Sequence, residues 1–346
     1  MKFRSGFRPA VQSRKKRYMA ILSRDHRNIC SLKSTCEGGK ISRRQFIRLA
    51  AVLGLGGAAT GPLVRLLEPS RAAASPRAAR RSGLPTDPAL ETPRCLDAHV
   101  HIGIRSQTSL WTFKSYLRRI RGSPIKGAAM FPFVSQIYDR WEPYFVDTDR
   151  WQERRKRANA YLLPLGSKDF EVFPFFFIWN DFAVEGLDDK YRGIKWHRHA
   201  NEPEYNYDDP SCARAIEIIH KRNLPVILEE ELHHTANFIL KLAEGVSVII
   251  PHMGFLNGGY RALVKTGLFA LPNVYTDTSL ASSAEIIDYL QRYGHERILF
   301  GSDFPFGDPV AQLRKVMRLP ISPEKRAAIA GLNLQRLMSR VDVQTS

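Results

Sequence analysis

From Arg94 onward, short apolar runs alternate with longer segments of helical periodicity. Apolar residues fill most positions of each run, which is typical of strands that are buried on both faces of a parallel sheet. The sequence predicts eight strands: RCLDAHVHI, IKGAAMFPFV, VFPFFFIWN, YRGIKWH, LPVILEEE, VSVIIPHMG, NVYTDTSL and RILFGSDFP.

Helices are predicted between several of these strands. DDPSCARAIEIIHKRN has a capping aspartate and Pro210 at its first helical position, and SSAEIIDYLQRYG ends at a glycine. HHTANFILKLAEG and YRALVKTGLF repeat apolar residues every three or four positions, and DRWQERRKRANAYL is a charged helix. Eight strand–helix units in roughly 250 residues predict an α/β fold, a parallel (β/α)8 TIM-like barrel. An open doubly wound sheet is disfavoured because no Gly-rich turn follows the first strand.

The first strand carries polar residues at alternate positions. In an extended strand, Asp97, His99 and His101 point to the same side. Burying three polar side chains is costly unless a partner neutralises them, and a cation would do so. The alternative is a polar strand face that meets water.

Other predicted strands also finish with histidine, lysine or carboxylate residues. Strand four ends in Lys195, His197 and His199, and strand five runs into the glutamates 229–231. Strand six ends in His252 and strand eight in Asp303. Because catalytic groups of a parallel barrel lie at the carboxyl ends of its strands, we expect these side chains to share one site.

The residues before the barrel have a different character. The stretch SRRQFIRLAAVLGLGGAATGPLV resembles a twin-arginine export signal, with an uncharged segment from Leu49 to Val64 that is short for a membrane span. RAAAS supplies small residues for a signal peptidase. The alternative is an uncleaved anchor or a basic tail. We therefore predict a leader over 1–74, a linker over 75–94 and a barrel over 95–340.

The net charge of +18 comes from this leader. Residues 1–81 contain 19 basic and 3 acidic residues, so the remainder contains 33 and 31. A nucleic-acid-binding protein needs a basic face on its folded part, so that class is excluded.

The H-x-H of the first strand, PHMG, GSDFP and the closing IAGLNLQRLM together resemble the amidohydrolase superfamily. The match is to the amidohydrolase-related branch that includes aminocarboxymuconate-semialdehyde decarboxylase. The resemblance implies a distorted eight-stranded barrel with one divalent metal ion, commonly zinc. It also implies that His99, His101 and Asp303 are metal ligands and that His252 is the acid–base histidine.

One position departs from the family pattern, which has a histidine ligand where this chain has Glu229. Glu229 is predicted to bind the metal through oxygen. The alternatives are a proton-transfer group, or glutamates 229–231 that only cap a helix or lie in a solvated loop. Lys195 is predicted to anchor substrate, with a carbamylated metal ligand or a structural ion pair as alternatives. His197 is a further candidate substrate-binding residue, and Asp97 is expected to orient a ligand or another inward group.

These residues predict an exported hydrolase that cleaves amide, lactone or ester bonds of a small molecule with a metal-activated water. Asp303 would position the water and His252 would transfer a proton. The alternatives are a decarboxylase acting on an unsaturated or aromatic carboxylate, and a non-catalytic ligand-binding barrel. The expected partners are a small-molecule substrate and the twin-arginine translocation machinery, without nucleic acid or a stable membrane span. A homodimer is compatible with the sequence, and the expected location is periplasmic or extracellular.

Overall fold

The computed structural model describes residues 94–104, 111–142 and 144–342. The predicted leader, its export motif and all but the last residue of the predicted linker lie outside these residues. No helix in the described ranges is both long and apolar enough to cross a bilayer.

Eight parallel strands follow one another around a barrel in the order of the chain, which confirms the predicted fold. Their bounds are β1 Cys95–His101, β2 Ile125–Phe131, β3 Glu171–Phe177, β4 Gly193–His197, β5 Val226–Glu229, β6 Val248–Ile250, β7 Val274–Asp277 and β8 Ile298–Leu299.

Backbone hydrogen bonds between β1 and the residues after β8 close the barrel. The N–H of Ala98 donates to the carbonyl of Phe300 at 2.8 Å, and the N–H of Asp303 donates to the carbonyl of His99 at 2.9 Å. These bonds bring the two ends of the barrel sequence side by side, so residues about 200 positions apart share one edge.

Nine α-helices surround or cap the strands. They are α1 Phe113–Arg119, α2 Asp149–Ala160, α3 Pro210–Lys221, α4 Leu232–Asn237, α5 Tyr260–Thr266, α6 Ser283–Tyr293, α7 Pro309–Met317, α8 Pro323–Ala327 and α9 Asn333–Met338 in the described part of the chain. The predicted caps are present: Asp209 accepts from the N–H of Ser211 at the start of α3, and Gly294 follows α6. Ser282 and Glu285 add a reciprocal capping box to α6.

Several predicted strands extend too far, and in two of them the difference affects the site. The eighth was expected to reach Pro305, but β8 ends at Leu299 because the next N–H, of Phe300, bonds to the carbonyl of Ile329 instead of to a strand. The sixth was expected to include His252, but β6 ends at Ile250 and the chain turns sharply. His252 and Asp303 therefore lie on turns that follow β6 and β8, and not within the strands.

The last helix completes the apolar core. Leu334, Leu337 and Met338 of α9 are buried in one cluster with strand residues such as Phe175 and Ile227. The helical turn Ala328–Leu332, which leads into α9, lies so close to the start of β1 that a Cβ at Gly331 would overlap the carbonyl oxygen of Arg94.

We expect Gly331→Ala to lower the free energy of unfolding by about 1–3 kcal/mol, because the added methyl must push the turn before α9 away from the start of β1. Gly186→Ala is the matched control, since its Cβ would lie at an ordinary 3.5 Å from Phe176. Urea unfolding measures both variants. Equal unfolding midpoints would show that the contact at Gly331 is unimportant.

Candidate metal centre

Three side chains at the carboxyl end of the barrel converge on one point. His99 Nε2 lies 3.3 Å from His101 Nε2 and 3.5 Å from Asp303 Oδ1, and His101 Nε2 lies 3.2 Å from Asp303 Oδ1. Ligand atoms bound to zinc in a tetrahedron are about 3.4 Å apart, given Zn–N distances near 2.1 Å. The predicted ligands His99, His101 and Asp303 therefore form a triangle of the right size for one cation.

Asp277, at the end of β7, holds His99 in place. Its Oδ2 lies 3.0 Å from His99 Nδ1 and accepts that proton, which leaves the lone pair of His99 Nε2 facing the triangle. A carboxylate behind a ligating imidazole is a common feature of protein metal sites. Burial lowers the pKa of His99 to about 4, so the ring is neutral and able to bind a metal near neutral pH.

The same carboxylate also positions His252. Asp277 Oδ1 accepts from the backbone N–H of His252 at 3.1 Å and from the hydroxyl of Ser279. Since the Ser279 hydroxyl donates to Asp277, it accepts from His252 Nδ1, which lies 2.7 Å away. The lone pair of His252 is then on Nε2, which lies 3.9 Å from Glu229 Oε1. One ring nitrogen of His252 lies within 4.8 Å of a ring nitrogen of His99 and a carboxylate oxygen of Asp303.

A left-handed turn directs His252 inward. His252, Met253 and Gly254 have φ values of 56°, 52° and 82°, a conformation that is costly for residues other than glycine. A Cβ at Gly254 would overlap Leu263 of α5, so this position accepts only glycine without rearrangement. Asp303 also has a left-handed backbone, with φ 55°.

Lys195 and Glu229 form a buried ion pair beside the triangle. Glu229 Oε1 contacts Lys195 Nζ and is 3.8 Å from His99 Nε2, farther than any side of the triangle. Its Oε2 lies 3.2 Å from His197 Nε2 and 3.0 Å from His199 Nε2. Burial opposes ionisation of Glu229, but Lys195 and His197 outweigh it and hold its pKa well below the usual range.

Both ring nitrogens of His197 face protein groups. Its ring is buried, with Nε2 directed at Glu229 and Nδ1 lying 3.4 Å from the hydroxyl of Tyr138. Both nitrogens of this predicted substrate-binding residue therefore have protein neighbours.

The charges of the site fit one divalent cation. Asp277, Asp303 and Glu229 are buried carboxylates, and Lys195 is the buried cation that faces them. With neutral imidazoles the group has two uncompensated negative charges, which are costly to bury. One divalent cation in the triangle would balance them. The other nitrogen of the His101 ring, Nδ1, is buried and has no hydrogen-bond partner among the described residues, so His101 has no counterpart to the Asp277 carboxylate that holds His99.

Asp97 differs from its predicted position. It accepts from the hydroxyl of Tyr116 on α1 at 2.8 Å, and the pairing of β1 with β2 shifts register between Asp97 and Val100. Side chains therefore do not alternate strictly between the two faces along β1, and the Asp97 carboxylate does not lie beside the His99 and His101 rings. Its Oδ1 instead accepts from the N–H groups of His99 and Ser302, which fixes the junction between the two ends of the site.

Asp277 and Ser279 were not singled out by the sequence pattern. A signal was present, because Asp277 ends an apolar strand just as His101 ends β1 and Glu229 ends β5. The hydroxyl of Ser279 carries no signal of its own, since its importance comes only from the turn that follows β7.

A sequence profile of the amidohydrolase family matches residues 96–338. A search of curated proteins finds no match. Solved structures with a similar fold include 2,6-dihydroxybenzoate decarboxylase from Rhizobium, which is 16% identical over 72% of this chain and 99% of its own, with a TM-score of 0.59. A dihydroxybenzoic acid decarboxylase from Polaromonas sp. JS666 with bound manganese is 14% identical over 72% and 97%, with a TM-score of 0.55. A candidate 2-pyrone-4,6-dicarboxylic acid hydrolase from Pseudomonas putida is 14% identical over 72% and 98%, with a TM-score of 0.52.

We expect Asp277→Asn to weaken the binding of a divalent cation by about 10- to 100-fold, because the substitution removes the charge that holds His99 in the tautomer with a lone pair on Nε2. Competition with a chromogenic chelator measures the affinity. Asp288→Asn is the control, because Asp288 bonds to Tyr260 and Arg292 on the surface. Equal cation affinities of the two variants would contradict the role given to Asp277.

Proposed function

This chain belongs to the amidohydrolase family, and we propose that it is a metal-dependent hydrolase of amide, lactone or ester bonds in a small molecule. The observation that carries the proposal is the triangle of His99, His101 and Asp303 with His252 beside it. Two imidazoles and a carboxylate are a donor set that zinc prefers, so we propose zinc as the cation. A cation bound there would supply a Lewis acid and an activated water near neutral pH.

Two residues are placed to move protons during hydrolysis. The Asp303 carboxylate lies at the triangle, with Oδ1 3.2 Å from His101 Nε2, where it can accept a proton from an attacking water. His252, whose Nδ1–H donates to Ser279, can deliver a proton from Nε2 to the leaving group when the ring is an imidazolium with a proton on both nitrogens. Hydrolysis of an acyl bond needs one group that accepts a proton from water and another that donates a proton to the leaving group. The positions of Asp303 and His252 support hydrolysis for this reason.

Decarboxylation of an aromatic carboxylate is the second candidate. It is supported by the fold similarity to two dihydroxybenzoate decarboxylases. His252 would then supply the proton that replaces carbon dioxide on the ring.

We expect His252→Gln to retain zinc and to lose turnover by about 100-fold or more, because it removes a proton carrier without removing a ligand. A panel of lactones, amides, esters and aromatic carboxylates, with carbon dioxide detection, identifies the reaction. Chelation of the metal should abolish activity, and added zinc should restore it.

His295→Gln is the control for this experiment, since His295 is a half-buried histidine beside Glu296 and outside the site. Full activity of His252→Gln would exclude His252 from the mechanism. Substoichiometric metal in the purified wild-type protein, with no turnover of any substrate, would favour the non-catalytic barrel instead.

We also propose that the protein is exported by the twin-arginine pathway to the periplasm or beyond. The support is the motif around Arg43 and Arg44 and the mildly apolar segment that follows it. Export of a folded chain suits a protein that takes up its metal before it crosses the membrane.

The double variant Arg43→Lys, Arg44→Lys should stay in the cytoplasmic fraction of a host that has the twin-arginine machinery. Arg14→Lys, Arg17→Lys is the matched control, because it makes the same change upstream of the motif. Immunoblots of cell fractions give the result. Export of both variants alike would rule out a twin-arginine signal.

A further inference from the structure

We propose that Glu229 is a positioning residue that fixes the Lys195 ammonium as the binding site for a carboxylate group on the substrate. This inference rests on the proposed function and narrows its substrates to anionic small molecules. It also gives Glu229 a role other than that of a metal ligand.

Three donors occupy the oxygens of Glu229. Lys195 donates to Oε1, and the Nε2 atoms of His197 and His199 lie 3.2 and 3.0 Å from Oε2. Arg140 fixes which atom donates in the bond between His199 and Glu229. Its guanidinium can only donate, and Nη2 lies 2.7 Å from His199 Nδ1. Nδ1 therefore accepts, and Nε2 carries the proton that bonds to Glu229.

This proton assignment also excludes a cation between His197, His199 and Glu229, although their ligand atoms lie within 4.8 Å of one another. A metal needs a lone pair on His199 Nε2, and Arg140 favours the opposite tautomer. Glu202 accepts from Arg140 and keeps the guanidinium in place. The cluster is complete as a hydrogen-bonded group.

Lys195 is the last member of the chain of hydrogen bonds that runs from Glu202 through Arg140, His199 and Glu229. Its side chain is fully buried, and Nζ lies 4.6 Å from the centre of the Phe131 ring, which itself contacts His99 and His101. Glu229 is the hydrogen-bond partner of Nζ within the described residues, and an ammonium has three donors. Glu229 Oε1, which Nζ contacts, lies 3.8 Å from His99 Nε2, so the ammonium lies beside the metal triangle. A carboxylate of the substrate that entered there would accept from the other two N–H groups.

The decisive test removes the ion pair as a unit. In Lys195→Met, Glu229→Gln the net charge of the site is unchanged, so we expect zinc affinity to stay within about twofold of the wild type, measured by chelator competition. A metal ligand would cost about tenfold or more, and a loss of that size would overturn the inference. Asp303→Asn should weaken zinc binding in the same assay, because Asp303 is a proposed ligand. Unchanged zinc affinity of Asp303→Asn would contradict the proposed metal centre, independently of the result for Lys195 and Glu229.

A second measurement tests the anion site with benzoate, titrated into the zinc-loaded protein by calorimetry. We expect Lys195→Met to weaken benzoate binding at least tenfold. His199→Phe should weaken it three- to tenfold, and His199→Gln should restore it, because glutamine can both donate to Glu229 and accept from Arg140. Benzoate affinities that are the same in wild type and Lys195→Met, or a His199→Gln variant no better than His199→Phe, would overturn the inference.

Discussion

The site depends on the carboxylate of Asp277. It is fully buried, and its oxygens accept from His99 Nδ1, from the N–H groups of His252 and Ser279, and from the Ser279 hydroxyl. Burial raises its pKa, but His99 and these hydrogen bonds outweigh that effect and lower the pKa to about 2. A buried charge with this many donors is fixed in orientation. One group thereby sets the tautomer of His99, the proposed metal ligand, and the direction of His252, the proposed acid–base residue, so the two proposed roles have a common support.

The fold could be predicted because it depends on patterns that are local in sequence. Apolar runs, capping residues such as Asp209 and glycine stops such as Gly294 identify strands and helices without knowledge of their neighbours. The order of the strands then follows from the right-handed crossover of parallel units. The polar strand ends were predicted on the same basis, since a barrel brings its carboxyl ends together.

The parts of the site that could not be predicted depend on departures from regular strands. The register shift in β1 separates Asp97 from the two histidines, and a left-handed turn after β6 directs His252 inward. Neither is visible as a period in the sequence. The partners of Glu229 are likewise set by Arg140 and Glu202, which lie outside the strands and have no motif.

The closure of the barrel between β1 and the residues after β8 has a consequence for when the site can exist. His99 and His101 leave the ribosome some two hundred residues before Asp303, and α9, which seals the core against β1, is later still. A nascent chain therefore carries two imidazoles and no third ligand. The triangle is therefore complete only after translation of the barrel has finished, and any cation bound there would come from the compartment in which the completed polypeptide first becomes compact.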